Sequence, residues 1–255
     1  MSTTPPPPPR RLTRRLSQLY VGLALYGASS AFLVRAGLGL DPWDVFHQGL
    51  AERLGWSIGT VSVTVGALVL LLWVPLRQRP GLGTVSNVFA VGLSMDATLA
   101  VLPDVHGIAA QVALLTAGIV LNGVATGLYI SAAFGPGPRD GLMTGLHRRT
   151  GRSVRLVRTG IELTVLAAGF LLGGTAGFGT LAYALAIGPL SQIFLKAFAL
   201  PEPPPARAEA GAAPPADAGA ATPADAGAAT PADASAAVPA DSVPVAAGGN
   251  PGAQR

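Results

Sequence analysis

The chain has 255 residues, half of them hydrophobic and 12% charged, with a formal net charge of +4 and a mean hydropathy of +0.48. That is too apolar for a water-soluble domain of this length and points to a polytopic helical membrane protein. No cysteine occurs, which excludes disulfides, thiol catalysis and cysteine-ligated metals, and the three histidines (His47, His106 and His147) include no pair at helical spacing.

In chain order, residues 1–15 are a proline-rich leader followed by Arg10, Arg11, Arg14 and Arg15, read as a disordered, basic, cytoplasmic segment. The apolar run 16–34 contains Ala28-Ser29-Ser30-Ala31, which has the look of a signal-peptide cleavage site. The run is nevertheless as long as a bilayer is thick, so it reads as a retained first span. Further spans are expected at 57–76, 82–102, 108–134, 159–174 and 178–200, giving six.

Arginines fall in alternate loops. The leader, the loop with Arg77 and Arg79, and the loop from Arg139 to Arg158 are basic, whereas the intervening loops are balanced or uncharged. The positive-inside bias therefore places both termini in the cytoplasm of a bacterial cell with the chain in its inner membrane. Residues 1–200 hold 15 basic and 7 acidic side chains, but the basic clusters flank apolar spans. They read as loop retention rather than nucleic-acid binding. From residue 201 the octad Pro-Ala-Asp-Ala-Gly-Ala-Ala-Thr recurs at Pro215 and Pro223, and this composition predicts a disordered cytoplasmic tail over 201–255.

A constant offset of 96 relates the two halves. It pairs Asp44 with Asp140, Gly49 with Gly145, Arg53 with Arg149, Gly55 with Gly151 and Ser57 with Ser153. The register runs on without a gap from Gly22 with Gly118 to Gly92 with Gly188. Residues 16–104 and 105–200 are therefore read as two copies of one membrane unit. Three spans per copy is an odd number, so the second copy enters upside down, and equivalent loops carry opposite charge character because they face opposite sides. The fold class is all-α, with about six transmembrane helices as two inverted three-helix repeats, each including a short re-entrant or interfacial helix.

The short helix follows the first span of each copy. Asp41 suits an N-cap, Pro42 the first helical position, Asp44 the third and Gly55 the stop; Gly137, Pro138, Asp140 and Gly151 repeat the pattern. About 12 residues rise roughly 18 Å, too little to cross the hydrocarbon core. Phe46, Leu50 and Leu54 form an apolar face that fits an interfacial helix. The glycine-rich lead-ins instead fit a broken helix whose exposed amides hold an ion. Either Asp44 and Asp140 line a central site or they merely complement the helix ends.

Candidates for a substrate or ion site are Asp44, Asp140, Arg139, Asp96 and Gln192. Asp96 lies within the third span with Gln192 at the equivalent place in the sixth, and a carboxylate at that depth is costly unless paired, protonated or beside water. Glu162 lies one turn after Arg158 and reads as a local ion pair. Asn122 reads as a cross-helix hydrogen bonder, and Gly123 with Gly127 as a packing face. Gly81-Leu82-Gly83-Thr84 lacks the Lys-Ser/Thr of a phosphate loop, and no hydrolase motif occurs. No enzymatic activity, cofactor or metal is expected.

These residues carry a resemblance to a family. Ala36-Gly37-Leu38-Gly39-Leu40-Asp41-Pro42-Trp43-Asp44, Gly55-Trp56-Ser57-Ile58-Gly59-Thr60, Gly81-Leu82-Gly83-Thr84, Gly135-Pro136-Gly137-Pro138-Arg139-Asp140-Gly141-Leu142 and Gly177-Phe178-Gly179-Thr180 resemble the YczE-like bacterial inner-membrane proteins, grouped by name with the YitT type. The resemblance implies an integral membrane protein and no substrate. The leading expectation is a small-molecule or ion transporter, with the lipid bilayer and a solute as partners and a homodimer as a further arrangement. The alternative is a membrane scaffold or regulator that binds a cytoplasmic partner through the Arg-rich loop.

Overall fold

The computed structural model describes residues 9–199. The expectations for the first eight residues and for the tail from residue 200 lie outside the described residues. Within them the chain is helical throughout: α1 Pro9–Ala36, α2 Pro42–Leu54, α3 Ile58–Trp73, α4 Leu82–Val101, α5 Ile108–Ser131, α6 Pro138–Thr150, α7 Val154–Leu172 and α8 Phe178–Phe198. Four helices are long and apolar enough to cross a membrane, namely α1 from Leu12, α4, α5 and α8. A fifth crossing arises if α2 and α3, bent by 113° at their junction, act as one.

Local chemistry sets the boundaries. The Asp41 side chain accepts the amides of Trp43 and Asp44, Pro42 opens α2, and Gly55 ends it with φ 70°. In α6, Pro138 occupies the same place and Gly151 ends the helix with φ 68°. Ser57 and Ser153 cap α3 and α7 through the amides of Thr60 and Leu156. Helix α3 ends at Trp73, earlier than the expected 76, where Pro75 has no N–H to carry the hydrogen-bond ladder on. Arg155, Arg158 and Glu162 occupy the first turns of α7, which leaves it a shorter apolar stretch than the four long helices.

One expectation changes at the N-terminus. The arginines at 10–15 belong to α1 rather than to a separate leader, since a proline at the first helical position loses no hydrogen bond and arginine is a good helix former. Arg15 ties that end down: its Nε donates to the Ala132 carbonyl at 2.9 Å, a terminal nitrogen donates to the Ala133 carbonyl at 3.0 Å, and its guanidinium lies 4.8 Å from the Phe134 ring centre.

The 96-residue spacing reappears in the packing. Helices α2 and α6, α3 and α7, and α4 and α8 begin 96 residues apart. The longest contact is α1 along α5, where Gly22 meets Leu128 and Tyr129 while Gly118 meets Phe32 and Leu33, the same pairs with the halves exchanged. The Gly-x-Gly-Thr motifs act as clamps. The Gly83 amide donates to the Phe134 carbonyl at 2.9 Å, and the Gly179 amide donates to the Leu38 carbonyl at 2.7 Å, so each half holds the other's glycine-rich lead-in. Gly39 and Gly135, at φ 119° and 115°, sit in those lead-ins; a Cβ on Gly39 would come 2.7 Å from the Thr180 hydroxyl, so both backbone angle and space require glycine.

Helix α2 packs on α7, and α6 on α3, with sizes exchanged. Gly169 of α7 lets the Val45 and Phe46 backbone approach, whereas its counterpart Trp73 fills the space beside Gly141, the counterpart of Val45. Gly123 and Gly127 receive Leu190 and Phe194 of α8, as a small-residue packing face should. One pair breaks the correspondence. Helix α3 packs against α4, but α7 and α8 make no comparable contact.

The basic loops gather at one end of α1. Arg149 donates to the Pro75 carbonyl at 2.8 Å and Arg148 to the Gln78 side chain at 2.9 Å, bringing the α6 terminus to the loop bearing Arg77 and Arg79. At the other end Arg35 bonds Asp104 and the Leu99 carbonyl, and Arg53 donates to the Leu172 carbonyl at 3.2 Å.

Candidate functional site

Helices α2 and α6 begin with their first turns packed inside the helical assembly, and those turns meet. Trp43, Asp44, Val45 and His47 are buried, so polar and apolar residues of the first turns of α2 alike face inward, while Glu52, Arg53 and Leu54 at its end are exposed. Phe46 and Leu50 pack at the margin of the α3-centred core.

Arg139, the second residue of α6, reaches across to α2. Its guanidinium nitrogens lie 3.5 Å from Asp41 Oδ1 and 3.6 Å from Asp44 Oδ1, and its guanidinium carbon is 5.0 Å from the centre of the Trp43 ring. Trp43 is the positional counterpart of Arg139, so the two halves meet here through equivalent residues. His47 Nδ1 is 3.1 Å from Asp44 Oδ1, an interaction available one turn along the same helix. Asp140 accepts the Tyr129 hydroxyl at 3.1 Å, and Trp73 Nε1 donates to the Pro138 carbonyl at 3.1 Å, fixing the start of α6.

These groups border a cavity of about 380 Å³. Asp41, Trp43 and His47 line it from α2 and its cap, and Arg139 and Asp140 from α6. Tyr26, Tyr129 and Tyr183 contribute aromatic walls, and the Arg158–Glu162 pair, joined at 2.8 Å as expected from its spacing, stands at the margin. Beside it Asn122 links helices, donating to the Ser29 hydroxyl at 2.8 Å and accepting the Tyr183 hydroxyl at 3.1 Å. That chain anchors Tyr183 at the wall.

The residues singled out from sequence divide between the cavity and elsewhere. Arg139, Asp140 and Gln192 line the cavity, and Asp44 stands behind Arg139. Asp96 does not join them. Its Oδ2 accepts the Ser57 hydroxyl at 2.6 Å and its Oδ1 accepts the Gly59 amide at 2.8 Å, which makes it a cap for the start of α3 supplied by α4. Gln192, its counterpart, is exposed on the cavity side of α8. Sequence reasoning treated Asp41 only as a cap, and gave no role to His47 or to the tyrosines. The three-residue spacing of Asp41, Asp44 and His47, which puts them on one side of the helix start, was the available signal, but a short apolar segment hides which of its faces is buried.

Comparison with known proteins agrees with this architecture. Residues 13–196 match the family of unknown function DUF6198. An uncharacterized protein of Haemophilus influenzae is 38% identical over 73% of this chain and 85% of its own length. The uncharacterized membrane protein YczE of Bacillus subtilis is 34% identical over 73% of this chain and 87% of its own length. The uncharacterized protein YyaS of Bacillus subtilis is 24% identical over 69% and 89% respectively. No solved structure matches the chain significantly. With several long apolar helices and these relatives, the chain belongs to the DUF6198 family as a YczE-like multi-pass membrane protein.

Proposed function

We propose that this protein is a transporter of a small solute or ion, built from two inverted copies of one unit, that moves its cargo through the cavity between the starts of α2 and α6 without transforming it. Each copy contributes three spans and one short helix that re-enters the membrane, and both termini face the cytoplasm of the bacterial inner membrane. The observation that carries the proposal is the polar cavity at the junction of the two halves, where Trp43 and Arg139, equivalent residues, stack at 5.0 Å. Buried charges at the meeting of two broken helices are the usual setting of a transport site.

The unequal seams support the same reading. Alternating access needs two arrangements in which the halves exchange roles. Here α3 is closed on α4 while α7 makes no comparable contact with α8, and Gly188 of α8 lines the cavity. Pro189 removes one backbone hydrogen bond and gives α8 a place to bend. The gathering of arginines at one end of α1 supports the cytoplasmic assignment of that end. The scaffold alternative draws less support, because Arg148 and Arg149 are already engaged with Gln78 and Pro75.

The test uses the absence of native cysteine. Trp56 and Arg152 are exposed and stand 96 residues apart, one in each half. A membrane-impermeant thiol reagent applied to intact cells is expected to label Trp56→Cys, and Arg152→Cys only after the membrane is opened. Labelling of both from one side removes the inverted repeat and the transport proposal with it.

A further inference from the structure

Three carboxyl groups stand about one guanidinium: Asp41 and Asp140 line the cavity with Arg139, and Asp44 lies behind Arg139 at 3.6 Å. Arg139 does not satisfy the two acids it approaches: at 3.5 and 3.6 Å both contacts are longer than a charge-assisted hydrogen bond of about 2.8 Å. Asp41 and Asp44 are each 3% exposed, and their Oδ2 atoms have no hydrogen-bond partner among the described residues. A buried carboxylate oxygen without a donor is unfavourable, so a second cation with N–H groups fits here. The walls suit such a cation. Trp43 already accepts a guanidinium on its face, and Tyr26, Tyr129 and Tyr183 stand around the same space.

We propose that the cavity binds a small organic monocation, an ammonium or amidinium group on an aromatic or aliphatic body, held by Asp41 beside Trp43 with Asp44 behind it. The volume of about 380 Å³ lies in the range of sites for small organic ligands, which a bare metal ion would not fill. Identification of that cation as the transported solute rests on the transport proposal above; the binding site itself does not. The opposing chemistry is an anion held by Arg139 and by Trp43 Nε1, which also has no hydrogen-bond partner among the described residues.

The experiment compares two ligands of like shape and opposite charge. Full-length protein in phosphatidylcholine nanodiscs is titrated calorimetrically with phenethylammonium and with phenylacetate at matched ionic strength. Phenethylammonium is expected to bind saturably and phenylacetate not to. Asp41→Asn, which keeps an N-cap, is expected to weaken the ammonium by about ten-fold or more, as is Asp44→Asn in an independently folded variant. Saturable phenylacetate binding abolished by Arg139→Gln, no phenethylammonium binding, or unchanged ammonium affinity in both Asn variants each overturns the proposal. Cysteine labelling from one side with ammonium binding intact would remove transport and leave the cation site standing, whereas opposite-side labelling without ammonium binding would remove only the cation site.

Discussion

The seam between α3 and α4 and the looser pair α7 and α8 hold equivalent places in the 96-residue register, and they differ in the residues found there. In the first copy Gly59 faces Gly92, whose missing side chains let the helices touch, and Asp96 accepts the Gly59 amide. In the second copy Arg155 replaces Gly59 and Gln192 replaces Asp96, while a side chain added at Gly188 would meet nothing within 4 Å. A duplicated unit thus keeps its helix boundaries but not its closure. Boundaries depend on caps and prolines that both copies retain, whereas closure depends on two backbones coming within reach, which one bulky residue prevents. The cavity is divided too: the first half supplies Asp41, Trp43 and His47 and the second Arg139 and Asp140.

The largest effect is expected where that division is removed. Arg139→Gln leaves two buried carboxylates without their shared cation and should lower stability by about 3–5 kcal/mol, read as a fall in detergent melting temperature. Adding Asp41→Asn should recover part of the loss, and the absence of any recovery would mean that Arg139 is not there to balance the acids. Next comes the seam. Gly92→Leu should cost about 1–3 kcal/mol by forcing α4 from α3, while the counterpart Gly188→Leu should change stability by less than about 0.5 kcal/mol. Equal losses in both variants would show that the two seams are closed alike in the folded protein. If α8 later closes on α7, Gly188→Leu should still abolish solute flux.

Asp96→Asn tests a more modest difference. It should lower stability by about 1 kcal/mol through the Ser57 and Gly59 contacts and leave phenethylammonium affinity unchanged, which separates a cap from a binding group. Gln192→Ala, at the equivalent position, should fall within about 0.5 kcal/mol of the parent because Gln192 is exposed. A larger loss there would point to a closed α7–α8 arrangement populated at rest.

Much of the architecture was legible because it is written in local chemistry. Asp41, Pro42 and Gly55 mark the limits of α2, and Pro138 and Gly151 mark those of α6, since caps and prolines act within a few residues of themselves. The 96-residue register placed α2 and α6, α3 and α7, and α4 and α8 in correspondence before any contact was known. The Arg158–Glu162 pair followed from helical spacing alone. Asn122 was likewise legible as a bridge, because an amide within an apolar helix must find a partner.

What the tertiary structure decided is which distant groups share a space. Asp96 and Gln192 looked like one pair at matching depth, yet the first caps α3 and the second faces the cavity, because burial of a polar group is set by the neighbouring helix and not by its own position. The meeting of Arg139 with Asp41 and Asp44 joins residues almost a hundred positions apart, and no periodicity within either helix specifies it. The sequence by itself determined the helices, their correspondence and their membrane character, all properties of short windows and of composition. The fold determined the burial of Asp44 and His47, the unequal seams and the residues that share the cavity, since these depend on which surfaces the chain brings into contact.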